Sequence, residues 1–358
     1  MTPVGSRVIN LRSDTQTLPT PAMRVAMARA ELGDDTYRED PTVRELEALV
    51  AERLGMEAAL LLLSGTMANL VALLTHCRRS DEIFLDARAH LLLNEAGGLG
   101  GVAGVVPTVV ASNRGHVLPD ALEGAIRSER VQQPRPRLVW IENTHNRAGG
   151  TVLDGAGVAA IVAVAQRQRL LVHVDGARLF NAARALRVEP PTLLDGVDSV
   201  YVDLTKGLAC PLGALLAGST TFVEEARRNR QLVGGGMRQA GVIAACGLVA
   251  LRELVERLDD DHARARRLAE RLAEIEGIEL DVADVETNLV FVGVGQLAAP
   301  ETVAAALAEE GVLVSTAPGE IRLVTHLGID DEAAAFAADA CARVAQRLRR
   351  PSSAGVAA

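Results

Sequence analysis

Between residues 58 and 218, short apolar runs alternate with helix-patterned stretches, and that order leaves few architectures open to the chain. The runs AALLLL (58–63), EIFLD (82–86), VPTVVA (106–111), RLVWIE (137–142), LLVHVD (170–175), SVYVDL (199–204) and GALLAG (213–218) read as strands. Between them, residues 119–128, 154–169 and 178–186 carry apolar positions at helical spacing. Alternation of this kind predicts an α/β fold with a mostly parallel sheet covered by helices on both faces. Upstream, Asp40-Pro41 reads as the cap and first turn of a helix over PTVRELEALVAERL that Gly55 ends.

From about residue 237 the order changes. A long helical region runs through ERLDDDHARARRLAERLAEIEG, followed by the short strands IELDV, LVFVGV, VLVST and EIRLVTH and two further helices. This is an α+β pattern, which places a domain boundary near residue 255. Two domains suit a chain of 358 residues, because single cores stop growing beyond roughly 250–300 residues. The predicted division is a segment 1–25, a large domain 26–255, a smaller C-terminal domain 256–350 and a frayed tail 351–358.

Composition narrows the function. No apolar run approaches the roughly 18 residues of a membrane span, and the opening MTPVGSRVINLRSD is polar almost at once, so a soluble cytoplasmic protein is expected. Cys77, Cys210, Cys246 and Cys341 show no CxxC spacing; reduced thiols are expected, with no metal cluster. A net charge of -9 without a basic run offers nucleic acid no electrostatic footprint. A small-molecule ligand is the expectation.

Among 37 basic residues, Lys206 is the single lysine. Codon drift toward arginine would leave such a remnant by chance. Chemistry gives a sharper reason, because arginine stays protonated and cannot act as an amine nucleophile, whereas lysine can form a Schiff base with an aldehyde. Lys206 follows the strand SVYVDL, at the end of a parallel strand where ligands bind in such sheets. Gly207 beside it would leave room for a flat ring, or simply make a turn.

Two other strand ends stand out. Ser64-Gly65-Thr66 opens a helix, so its N–H groups and hydroxyls could cradle a phosphate or only cap the helix. In HVDGAR, Asp175 ends an apolar strand beside His173, with Arg178 soon after. The two charges could form a structural ion pair. Alternatively, Asp175 could hold a pyridine nitrogen protonated while Arg178 grips a carboxylate.

In order along residues 8–348, the motifs NLRSDTQT, GDDTYREDPT, SGTMAN, ENTHNRAGGT, HVDGARLFNAA, TKG, GGGMRQAG and RLVTH resemble the threonine aldolases of the β-eliminating lyase group. The resemblance implies a fold-type-I enzyme with pyridoxal 5'-phosphate bound as a Schiff base to Lys206 and with Asp175 on the ring nitrogen. It further implies Gly65 and Thr66 on the phosphate and Arg238 reaching it from a neighbouring subunit. Ser13, Arg178 and Arg322 align with residues that bind the substrate carboxylate. His90 corresponds to the imidazole stacked on the ring, and His145 to a second histidine near the reacting carbon. Tyr37, on the substrate side, and Glu95 fall in matching motifs. The large domain would then bind the cofactor, the segment 1–25 would contribute to the active site, and a homodimer or homotetramer would share its active sites.

Three departures accompany the match: Asn10 where the family often has Asp, Arg38 where Gly is common, and Thr205 in place of Ser before the lysine. Arg38 adds bulk and charge, which bears on substrate range. The implied reaction is retro-aldol cleavage of L-threonine, L-allo-threonine and related L-β-hydroxy-α-amino acids to glycine and an aldehyde. Its base stays open among His145, His90 and a water between them. An aminotransferase, a lyase expelling a β-substituent and a non-catalytic carrier of the cofactor are the rival readings.

Overall fold

The computed structural model describes residues 8–128 and 130–349; the tail expected to fray lies outside the described residues. The chain divides into two units, Thr17–Leu258 and Met1–Gln16 with Asp259–Ala358.

In the first unit, seven strands form one sheet: β1 (Ala58–Leu62), β2 (Asp81–Leu85), β3 (Val106–Val109), β4 (Arg135–Glu142), β5 (Leu171–Gly176), β6 (Ser199–Asp203) and β7 (Ala214–Gly218), in spatial order β1-β7-β6-β5-β4-β2-β3. Side chains alternate between faces along a strand. Leu60, Leu62, Ile83, Leu85, Leu138 and Trp140 thus pack in one cluster with Ala68, Val71 and Ala72 of helix α1 (Gly65–His76). Leu61, Phe84, Val139 and Leu215 are as fully buried at the intervening positions, so both faces are covered. Each such side chain stabilises the fold by about 1.5–3 kcal/mol, which is why these runs are continuously apolar.

Strands β6, β5, β4, β2 and β3 are parallel. Strand β7 runs antiparallel to both β1 and β6, a direction that apolar runs do not encode. The link from Asp203 to Ala214 is shorter than the dozen or more residues that a parallel crossover needs, so the chain must turn back. Lys206 sits in that link. The helix Pro41–Leu54 begins and ends as its caps predict: Asp40 accepts from Val43 N–H at 3.0 Å, and Gly55 takes φ +65°. The helix expected at 119–128 stops at Ala125, and a helix that the pattern did not suggest, Thr220–Leu232, starts on a Ser219 cap.

In the second unit, Leu289–Gly293, Glu320–Val324 and Ser315–Ala317 form an antiparallel sheet in that order, with helices at Pro300–Glu309 and Asp331–Arg349. Its core joins Leu268, Leu272, Val290, Val292, Leu323 and Val344. Three expectations need correction. The helical stretch after 237 is two helices, Gly241–Glu253 and Leu258–Ala273. IELDV contributes only an isolated antiparallel bridge, Glu279 with Gly293, rather than a full strand, because Asp281 accepts from Ala283 N–H at 2.8 Å and turns the backbone into a short 3-10 turn. VLVST splits: Val312–Leu313 pairs in parallel with Ile9–Asn10, and Ser315–Ala317 joins the sheet.

All four cysteines are free thiols, three of them buried and Cys77 half-buried. Among the described residues, no helix is long and apolar enough to cross a membrane.

Candidate active site

The carboxyl ends of the parallel strands bring acids together. β2 leads into Asp86, β4 ends at Glu142, β5 carries Asp175 and β6 ends at Asp203; Glu142 lies opposite Asp175 in register, and Asp175 opposite Tyr201. Asp175 is 1% exposed and accepts from Asn69 Nδ2 at 2.9 Å and Ala177 N–H at 3.2 Å. No basic side chain among the described residues pairs with it. Burial first, then the charges of Glu142 and Glu95, push its carboxyl up to about 6, against the pull of His90 and Lys206. A buried carboxylate without a cation is costly, and a protonated ring nitrogen is a group that would satisfy it.

Asn69 Nδ2 also donates to Glu95 Oε1 at 2.7 Å, and the same oxygen lies 2.8 Å from His90 Nδ1. One amide and one imidazole therefore tie Asp175, Glu95 and His90 into a chain. Their ligand atoms fall within 4.8 Å of one another, a convergence that these hydrogen bonds account for. Burial lowers the His90 imidazole, but the bond to Glu95 and the charges of Asp175 and Glu142 outweigh it, and the net direction is upward. Glu142 organises the next layer, accepting from His90 N–H at 2.7 Å and Asn146 N–H at 2.8 Å. Asn146 Oδ1 in turn lies 3.4 Å from Nη1 of the buried Arg178, which stands at the head of helix α2 (Leu179–Leu186).

Lys206 Nζ is 3.1 Å from Asp203 Oδ2, with the lysine side chain 16% exposed. Thr17 Oγ1 donates to the Lys206 carbonyl at 2.8 Å, fixing the backbone there. Gly65 packs against this strand end so closely that a Cβ would lie 2.6 Å from the Tyr201 hydroxyl and 3.0 Å from Asp203 Oδ2. The first turn of α1 thus sits beside the lysine's carboxylate partner. Ser64 caps that helix by accepting from Met67 N–H at 3.2 Å, while the N–H groups of Gly65 and Thr66 have no acceptor within the helix. A first turn of this kind suits an anion such as phosphate. Together with Asp175 and the lysine amine, the residues fit a phosphorylated pyridine aldehyde.

The remaining expected residues fall in three places. His145 is fully buried, with Nε2 3.0 Å from Asp86 Oδ1 and 3.9 Å from Glu142 Oε2. Burial opposes its charge, yet Asp86 and Glu142 raise its pKa overall; Asp86 itself, despite burial, is lowered to about 2 by His145, Ser112 and the Arg88 N–H. A Cβ on Gly115, at φ +85°, would lie 2.4 Å from the His145 ring, so this glycine makes room for it. Arg238 and Tyr37 lie on two exposed loops held together by Asp35 N–H donating to the Arg238 carbonyl at 3.0 Å and by an Arg238–Thr36 side-chain bond. Ser13 and Arg322 belong to the smaller unit. There Arg322 Nη2 donates to the Arg12 carbonyl at 2.9 Å, next to Ser13, which accepts from Thr15 Oγ1 at 2.9 Å.

Two neighbours serve packing instead. His173, two residues before Asp175 on β5, shares its face of the sheet but meets other partners: its Nδ1 lies 2.7 Å from Ser199 Oγ, its ring is tilted 38° to Trp140 with centroids 4.3 Å apart, and burial holds its pKa well below the usual imidazole value. At Gly207 a Cβ would strike Leu258 Cδ2 at 2.6 Å, so the space there belongs to the core. Arg38 takes φ 59°, a left-handed conformation that favours glycine, and pairs with Glu224. Sequence reasoning passed over Asn69, Asp86, Glu142, Asn146 and Asp203. The signal was present for three of them, since Asp86, Glu142 and Asp203 close apolar strands just as Asp175 does.

The β-eliminating lyase family matches residues 10–294. Low-specificity L-threonine aldolase 1 of Arabidopsis thaliana is 42% identical over 327 residues, spanning 89% of this chain and 91% of the relative. The low specificity L-threonine aldolase of Escherichia coli O157:H7 is 42% identical over 330 residues, spanning 91% and 96%. Among solved structures, a threonine aldolase of Leishmania major superposes with a TM-score of 0.79 at 20% identity, covering 96% of this chain and 99% of that one. That likeness concerns the fold, which is the fold-type-I architecture. On the matched family and on relatives of this identity and coverage, the chain belongs to the β-eliminating lyases, in their threonine aldolase branch.

Proposed function

We propose that this chain cleaves L-threonine, L-allo-threonine and related L-β-hydroxy-α-amino acids to glycine and an aldehyde, with pyridoxal 5'-phosphate held at Lys206. The observation that carries the reading is Asp175, a buried carboxylate without a cationic partner among the described residues, one parallel strand away from the strand that leads to the single lysine. The names of the relatives at 42% identity support the same reaction. When bound, the cofactor supplies an electron sink for a bond broken at Cα.

The chain's own residues do the rest. Lys206 would anchor the cofactor through its amine, Asp175 would keep a proton on the ring nitrogen, and the first turn of α1 at Gly65 and Thr66 would hold the phosphate. His90, fixed by Glu95, would lie against the ring. Arg178 grips the substrate carboxylate, and Ser13 and Arg322, which meet at Arg12, are assigned to the same group. A paired guanidinium grip on the substrate carboxylate would limit rotation about the Cα bonds, and so would select which of them is placed to break. His90 on Glu95 and His145 on Asp86 are the two carboxylate-held imidazoles able to take the β-hydroxyl proton.

The same reading includes a cytoplasmic dimer or tetramer. The two loops that bear Tyr37 and Arg238, with the helix leading into them, leave Leu232 75% and Tyr37 73% exposed, a surface suited to a second copy. Because Arg238 and Tyr37 share this surface, both would serve the neighbouring subunit's site. Borohydride reduction of the yellow holoenzyme tests the cofactor assignment. Peptide mapping should find the pyridoxyl label on Lys206, and a label on the N-terminal amine alone would refute it.

A further inference from the structure

Asp203 ends β6 at the same sheet edge as the other acids, but it faces Lys206 and α1. Its Oδ2 lies 3.1 Å from Lys206 Nζ and 3.0 Å from where a Cβ of Gly65 would stand. Its Oδ1 is pinned by the Thr205 N–H and hydroxyl, each at 2.7 Å. The side chain is buried, so salt and water screen its charge little. A fixed carboxylate thus stands beside the very helix turn assigned to the phosphate.

We propose that Asp203 governs how firmly the cofactor is retained, by opposing its phosphate at the first turn of α1. The inference rests on the assignment of Lys206 and Gly65-Thr66 to the cofactor. A phosphate carries close to two negative charges at neutral pH, and the α1 terminus attracts it. Asp203 draws on the same positive end and repels the phosphate, and like charges a few ångströms apart in a partly buried site change an equilibrium by about tenfold or more. Lys206 cannot offset this as a free ammonium, because its nitrogen is the one that the cofactor aldehyde takes up. The outcome is a site that loads the phosphorylated cofactor yet releases it more readily than a neutral side chain at 203 would allow.

The test compares pyridoxal 5'-phosphate with pyridoxal, which has the same aldehyde and ring but no phosphate. Each is titrated into cofactor-stripped full-length protein, and the absorbance of the lysine adduct gives a dissociation constant. Any effect of Asp203 on the Lys206 amine is common to both compounds, so the ratio of their affinities isolates the phosphate. Asp203→Asn, which keeps the acceptor for Thr205, should raise the preference for the phosphorylated form by about tenfold over wild type. Asp203→Ser should move it the same way, and covers the case in which the asparagine variant fails to fold. A ratio that is unchanged or lower in the folded variants overturns the proposal. If wild type forms no adduct at Lys206 with either compound, the cofactor assignment itself falls and the proposal falls with it.

Discussion

His90 Nδ1 lies 2.8 Å from Glu95 Oε1, and the oxygen that receives it also accepts from Asn69, which holds Asp175 at 2.9 Å. The imidazole and the Asp175 carboxylate are therefore mechanically and electrostatically joined through one amide and one further carboxylate. Glu95→Gln removes that charge while keeping the shape. The His90 pKa should fall, because burial then acts with less opposition, and kcat should drop by about tenfold, a change of about 1.4 kcal/mol in the barrier. NMR titration of the His90 ring checks the first effect. An unmoved His90 titration would show that Glu95 does not set its charge.

The second carboxylate–imidazole pair, Asp86 with His145, predicts a stability signature in pH. His145 is raised above its ordinary 6.5, so its share of stability is complete below about 6.5 and is lost as pH rises through the raised value. Asp86 is lowered from 3.8 to about 2, so its share is complete above about 3.8 and is lost as pH falls toward 2. Between about pH 4 and 6.5 both contribute in full. The stability gap between wild type and Asp86→Asn in urea unfolding should be widest there and narrow on the alkaline side. A gap independent of pH would mean that the pair is not charged in the fold.

Arg178→Lys keeps a positive charge but loses the planar fork that grips a carboxylate twice. Its kcat/KM should fall by about 100-fold, while exchange of the α-proton of glycine rises relative to cleavage, because the substrate turns more freely about its Cα bonds. Steady-state kinetics together with deuterium exchange read both effects. Unchanged values in this variant would remove Arg178 from the carboxylate grip.

Strand positions and strand ends were legible because burial on both faces forces continuous apolar runs, and because Asp175 and Lys206 stand out as polar groups closing them. What escaped has physical reasons. The reversal of β7 is set by the length of the link that holds Lys206, not by any residue pattern. IELDV alternates like a strand, yet Asp281 diverts the backbone by accepting from Ala283 N–H. Asn69 lies one turn inside α1, and nothing local marks it as the residue that joins Asp175 to Glu95; only the packing of α1 against the sheet does. Asp203 and Tyr201 read as parts of a strand, and their closeness to Gly65 comes from a contact across more than 130 residues of chain.

The most direct test of the proposed reaction is its product balance. With L-threonine or L-allo-threonine and no keto acid present, acetaldehyde and glycine should form in equal amounts over many turnovers, since the roles proposed for Lys206, Asp175 and the carboxylate grip would direct cleavage to the Cα–Cβ bond. A transaminase would halt after one half-reaction, and a lyase expelling the β-hydroxyl would release 2-oxobutanoate and ammonia. Equal acetaldehyde and glycine is the predicted result; 2-oxobutanoate as the main product would contradict it.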